Sequence, residues 1–260
     1  MIAIVALAGF IAVGLRSPDS DFISASGLLL RGFWMTLIIW ITSCTVGAFL
    51  AGFLVAGDLS RFRLLHMLAR VEINFFRGTP LIAQLYLVYY GAGEISPLLE
   101  GMNLWWIFKS PLSCVIMVFV LNTAAYQAHV VAGAIRALPK EQNDGARALG
   151  LSVQTTMFKV LLPQAMIIAI RPLANEVTKM VKASAIASVV TVLDLLGVAR
   201  MIFHETLDFS FLFIAACVYL ILIGLVRIAM EMLEGHLLRH LSLAPTTSRA
   251  RQEGTSAYLA

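Results

Sequence analysis

Glu176, Lys179 and Lys182 stand three residues apart within a largely apolar stretch. That spacing winds them slowly around one side of a helix, so a carboxylate and two ammonium groups would share a wall. Such a set could hold both ends of a zwitterion. It could equally close an internal Glu176–Lys179 ion pair, leaving Lys182 at an interface. Asn175 and Ser184 flank the set as uncharged partners of the same kind. A second constellation is Arg77-Gly78-Thr79-Pro80, where the glycine permits a tight entry and the proline is tolerated at the start of a helix. Arg77 there reads as an interface anchor or a gate contact. The third is Asp144-Gly145-Ala146-Arg147-Ala148-Leu149-Gly150, followed by nine residues and then Val160-Leu161-Leu162-Pro163. Its composition predicts a helix, a stop glycine, a second helix start capped by Ser152, and a proline where an apolar run begins. Ala146, Ala148 and Gly150 offer a small-residue face, Leu149 a side chain to fill a pocket, and Asp144 and Arg147 charges for a rim. That chemistry suits receiving a protein, and equally a surface helix resting on lipid headgroups with Lys140 and Arg147 as its anchors.

Catalytic chemistry is missing from the chain. No Gly-x-x-x-x-Gly-Lys-Ser/Thr phosphate loop occurs, and no nucleophile stands with a matching base. The expectation is therefore not an enzyme, with no cofactor and no metal. Cys44, Cys114 and Cys217 lie far apart in apolar runs, and His236 and His240 have no third ligand near them.

The elements that carry these residues follow from composition. Of 260 residues, 60% are hydrophobic and 13% charged, whereas soluble domains carry about 25% charged residues. The reading is an all-α, polytopic transmembrane bundle. A net charge of +4 needs no nucleic acid to explain it. Residues 33–56, uncharged throughout, suffice to cross about 30 Å of hydrocarbon, and Gly47, Ala48, Ala51 and Gly52 favour close helix packing. Further spans are read from residue 75 to about 91, over 111–135 and over 209–230. Between these, the apolar stretches 160–170 and 183–193 are each too short to span alone, which reads as an interrupted segment. Asn122, Tyr126 and Gln127 read as hydrogen-bonding between helices. Residues 1–15 suggest an extra N-terminal span, and the polar residues beyond about 243 a disordered tail.

Arg61, Arg63, His66 and Arg70 mark one cytoplasmic loop, and Arg136, Lys140, Arg147 and Lys159 another. Residues 93–110, with Trp105 and Trp106, and residues 194–208 then fall outside, and the C-terminus inside.

Four stretches in order resemble the polar amino acid and opine branch of the ABC importer permeases. They are Phe75-Phe76-Arg77-Gly78-Thr79-Pro80-Leu81 with Gln84; Leu121-Asn122-Thr123-Ala124-Ala125-Tyr126; the Ala-Leu-Gly loop followed by Leu162-Pro163-Gln164-Ala165; and Asn175-Glu176-Val177 with Lys182-Ala183-Ser184. The resemblance covers roughly residues 28–240. It implies the type I importer permease fold, with five core helices and a cytoplasmic coupling loop at about 138–162. Residues 1–27 and 241–260 fall outside it.

It further implies that Asp144, Gly145, Ala146, Arg147, Leu149 and Gly150 dock a cytoplasmic ATP-binding subunit. Two such subunits, a second permease chain and an external solute-binding protein would complete an inner-membrane importer of a polar amino acid or opine-like derivative. The chain departs from the family pattern at Asp144-Gly145, where Glu-Ala is usual. A glycine within a helix costs on the order of 1 kcal/mol relative to alanine, which would loosen this one. A self-contained ion-coupled carrier or channel, or a membrane anchor, is the rival reading.

Overall fold

In a computed structural model, residues 20–241 are described; they form helices and short connections, with no strand among them. The expected N-terminal span over residues 1–15 and the tail beyond residue 241 lie outside the described residues.

Helix α1 runs Ser20–Asp58, longer than the uncharged stretch 33–56. The extension is held by tertiary packing: Ala25 and Leu29 are buried with Leu195, Val198 and Phe211 of later helices. Helices α2 (Arg63–Gly78) and α3 (Leu81–Glu94) are two halves of one bent rod, broken at residues 78–80. The segment read as an interfacial loop holds two short helices, α4 (Ser96–Gly101) and α5 (Trp105–Phe108). Helix α6, Pro111–Arg136, starts with Ser110 accepting from the Ser113 amide and with proline in its first turn.

After α6 comes the short helix α7, Lys140–Ala148, and then one continuous helical rod. The rod comprises α8 (Val153–Thr155), a π-helical turn (Thr156–Leu161), α9 (Leu162–Ala183) and a 3₁₀ segment (Ser184–Val190). This corrects the reading of an interrupted segment. Arg171 to Lys182 do not break the helix, because their side chains find a groove on its surface and Glu, Lys and Arg are good helix formers. It also means that the loop contains one free-standing short helix; the second is the start of the rod. Helices α10 (Leu195–Thr206) and α11 (Ser210–Leu241) complete the fold.

Four helical segments are long and apolar enough to cross a membrane: residues 25–58, 111–136, 153–190 and 210–236. The bent α2–α3 pair supplies the fifth core rod. Helices α1 and α6 pack closely at the centre, where a Cβ on Gly47 would lie 3.1 Å from Thr123. Ala51 is buried on the same face, whereas Ala48 and Gly52 turn away from it. Ile39, Leu85, Val118, Phe119, Met180 and Val190 then join α1, α3, α6 and the rod in one core cluster.

Candidate binding grooves and docking helix

Pro80 shapes the first site. It has no N–H to return to the Phe76 carbonyl, and it pushes Thr79 into extended backbone (φ −114°, ψ 145°), so α2 ends there. The freed carbonyl accepts from Gln84 Nε2 at 2.9 Å and from Asn122 Nδ2 at 3.0 Å. Asn122 also donates to Gln84 Oε1 at 3.1 Å, and Gln84 reaches Thr79 Oγ1 at 2.8 Å. Gln84 and Asn122 are 4% and 8% exposed, so this polar pin is shielded from water. Asn122 thus bonds between helices, as expected. Arg77, half-buried, places its guanidinium 5.6 Å from the Tyr126 ring, and Tyr126 Oη donates to the Arg77 carbonyl at 3.5 Å.

A small cavity of about 150 Å³ opens beside this pin. Leu81, Asn122 and Tyr126 line it from one side, and Glu176, Lys179 and Met180 of α9 from the other. Residues far apart in sequence therefore face each other across one cavity. A larger groove of about 670 Å³ lies between α9 and α11 and again includes Glu176 and Lys179, with Asn175 and Lys182. Ser184 is elsewhere: it is fully buried and donates to the Val181 carbonyl at 2.7 Å, starting the 3₁₀ turn.

Within the larger groove the charges are mostly paired. Lys179 Nζ meets Glu176 Oε1 at 2.7 Å, Arg227 meets Glu231 Oε1 at 2.9 Å, and Arg171 pairs with Glu234. The open choice between a free charged set and an internal Glu176–Lys179 pair resolves to the pair. Charges at spanning depth are costly against lipid. A face this charged belongs against water or another protein.

A clamp around one buried acid ties the ends of α1 and α6 to α2, ahead of α7. Asp58, at the end of α1, holds Arg70 of α2 at 3.1 Å and pairs with Arg136 at the end of α6; His66 Nδ1 sits 2.7 Å from the Asp58 carbonyl. His66, Arg70 and Arg136, expected as cytoplasmic loop charges, thus lie within or at the ends of helices and converge on one acid. The clue was a lone acid among four bases.

Glu141 in the first turn of α7 and Arg147 in its last turn both suit the helix dipole. Ala146 is buried, while Asp144, Gly145 and Arg147 are exposed. The C-terminus closes as expected: Gly150 adopts φ +71°, Leu151 N donates to Ala146 O at 3.1 Å, and Gly150 N donates to Arg147 O at 2.9 Å. This turn projects Leu149, 80% exposed, with Val153 also exposed beside it. Ser152 then caps the rod by accepting from Thr155 N.

The π turn beneath has a local cause. Leu162 N bonds back five residues to Met157 O, and Pro163 follows. A proline there cannot complete an α-type bond, and widening the preceding turn relieves its clash.

The polar knot at the other end of the rod went unread in the sequence. Asp194 is fully buried, caps α10 by accepting from Gly197 N at 2.9 Å, and accepts from Tyr219 Oη at 2.9 Å. The next amide, Leu195 N, donates to Thr36 Oγ1 at 3.1 Å. An Asp directly before an apolar run was the available capping signal.

Comparison with known proteins gives concordant findings. The family profile described as "Binding-protein-dependent transport system inner membrane component" matches residues 48–239. The arginine ABC transporter permease protein ArtM of Escherichia coli is 34% identical over 167 residues, 64% of this chain and 75% of that protein. The nopaline transport system permease protein NocM of Agrobacterium fabrum is 30% identical over 229 residues, 88% of this chain and 92% of its own. The octopine permease OccM of Rhizobium meliloti is 35% identical over 178 residues, 68% and 72% of the two chains. Among solved structures, a chain of an amino acid ABC transporter crystallised with histidines superposes with a TM-score of 0.73 at 27% identity. It covers 83% of this chain and 97% of that one.

Proposed function

The chain belongs to the family of inner membrane components of binding-protein-dependent transport systems, and from that premise we propose how it works. It is the membrane-spanning permease subunit of an ATP-driven importer for a polar amino acid or an opine-like derivative. The observation that carries the reading is the family match over residues 48–239, which takes in the docking helix, the Pro80 break and both groove walls.

Helix α7 faces the cytoplasm. Asp144, Gly145, Arg147, Leu149 and Gly150 form its contact with an ATP-binding subunit, Leu149 entering a pocket there; Ala146, expected in the same contact, is buried and supports these residues from within. One such subunit serves each of two permease chains. An external solute-binding protein delivers the ligand at the opposite face, where α4, α5 and α10 lie. The path runs past Glu176 and Lys179, which border both cavities, and past Asn175 and Lys182. Arg77 and residues 78–80, pinned by Gln84 and Asn122, form the bend beside it. Ser184 supports the wall from behind.

The charged groove between α9 and α11 gives the physical reason for a second permease chain. One bundle leaves this face open, and a second copy would enclose it around an aqueous path. When ATP closes the ATPases, α7 moves. The π turn and Pro163 then pass that motion into α9, so access alternates between the two faces.

Isolation through a tag on this chain, followed by reconstitution into sealed vesicles with the binding protein, tests the reading. ATP-dependent uptake is expected. Uptake by this chain alone, with no ATPase, would favour an ion-coupled carrier.

A further inference from the structure

We propose that the groove between α9 and α11 selects substrate by net charge, with Lys182 as the specificity-determining residue, favouring a ligand with a second carboxylate over one with a second cation. The inference rests on reading this groove as the substrate path.

Three carboxylates line the groove, and each is taken: Glu176 by Lys179, Glu231 by Arg227, Glu234 by Arg171. Four cations line it, and the fourth, Lys182, forms no ion pair among the described residues. Its side chain is exposed on the groove surface. The wall therefore presents one spare ammonium and no spare carboxylate.

Every α-amino acid brings one carboxylate and one ammonium. The carboxylate finds Lys182, whereas the ammonium must compete for an acid already paired. What the side chain carries then decides the outcome. A second carboxylate gains attraction from the surplus positive charge, while a guanidinium or a second ammonium is repelled by it. Partial removal from water strengthens both effects.

Direct binding to the assembled transporter, isolated through a tag on this chain and without binding protein, tests the proposal. The probes are glutamate, glutamine and arginine. Glutamate is expected to bind at least about fivefold tighter than arginine, with glutamine between them. Lys182→Arg should keep that order, Lys182→Gln should bring the ratio towards one, and Lys182→Glu should invert it. Thermal melting of each variant near that of the parent shows that the fold is intact.

Arginine binding as tightly as glutamate would overturn the proposal. So would a ratio unmoved in Lys182→Gln, or no binding of any probe. The importer reading is judged separately: an assembly that carries an ATP-hydrolysing subunit but prefers arginine refutes only the charge selection. An assembly without such a subunit refutes the importer reading.

Discussion

Gln84 and Asn122, 38 positions apart, converge on one carbonyl and bond each other at 3.1 Å. The carbonyl is that of Phe76, left without a donor because Pro80 follows four residues later. The bend between α2 and α3 is thus a proline break repaired by two side chains from different helices. Asn122→Ala removes one repair and leaves the Gln84 amide oxygen without its donor, which costs about 1–3 kcal/mol for a buried group. In a double-mutant cycle with Gln84→Ala, the stability losses measured by unfolding should be non-additive by more than about 0.5 kcal/mol. Additive losses would mean that the two side chains work independently.

Both partners stood in the sequence motifs, yet their relationship was not legible there. Pro80 marks the break from its own chemistry, whereas Asn122 becomes its partner only once α6 packs against the bent rod. Local signals of this kind read well: Ser152, Gly150 and Pro163 sit where capping and breaking rules put them. Signals that depend on what a surface faces read poorly. The polar run from Arg171 looked like an interruption, because sequence alone does not reveal the α11 wall that gives it pairing partners. Asp58 likewise reads as a loop charge in the sequence, because its partners come from two other helices that only the fold brings to it.

Leu149 is held out by the Gly150 turn and contributes nothing to the core at 80% exposure. Leu149→Glu should leave the melting temperature of the isolated chain within about 1–2 °C of the parent, as surface substitutions usually change stability by less than about 0.5 kcal/mol. Co-purification of the ATP-binding subunit should fall by tenfold or more. Undiminished recovery of that subunit would place the docking contact elsewhere.

Gly145 within α7 and Gly150 just beyond its end should respond in opposite directions. A Cβ on Gly145 meets nothing within 4 Å, so Gly145→Ala should stabilise the helix by on the order of 1 kcal/mol. Gly150 also has open space, but its φ of +71° strains any side chain, and Gly150→Ala should cost about 1–2 kcal/mol. Hydrogen exchange across residues 140–150 reads both: slower in the first variant, faster in the second. Equal rates in the two would show that α7 takes its order from a bound partner.

Asp194 should make stability depend on pH in a direction unusual for an acid. It lies in the connection between spans, and burial pushes its carboxyl up to about 6, against the opposing hydrogen bonds from Gly197 and Tyr219. The unfolded chain releases this proton near the ordinary value of 3.8, so between about pH 4 and pH 6 the native state holds a proton that the unfolded state has lost. Stability from this group is therefore full below about pH 4 and falls as pH rises to about 6, by on the order of 3 kcal/mol at most. Asp194→Asn keeps an oxygen to cap Gly197 but cannot ionise. The melting advantage of the parent over this variant should be larger at pH 4.5 than at pH 7.5, with the other carboxylates common to both proteins. A constant difference across that range would mean that the buried aspartate stays ionised throughout and that the Tyr219 hydroxyl and the Gly197 amide suffice to hold its charge.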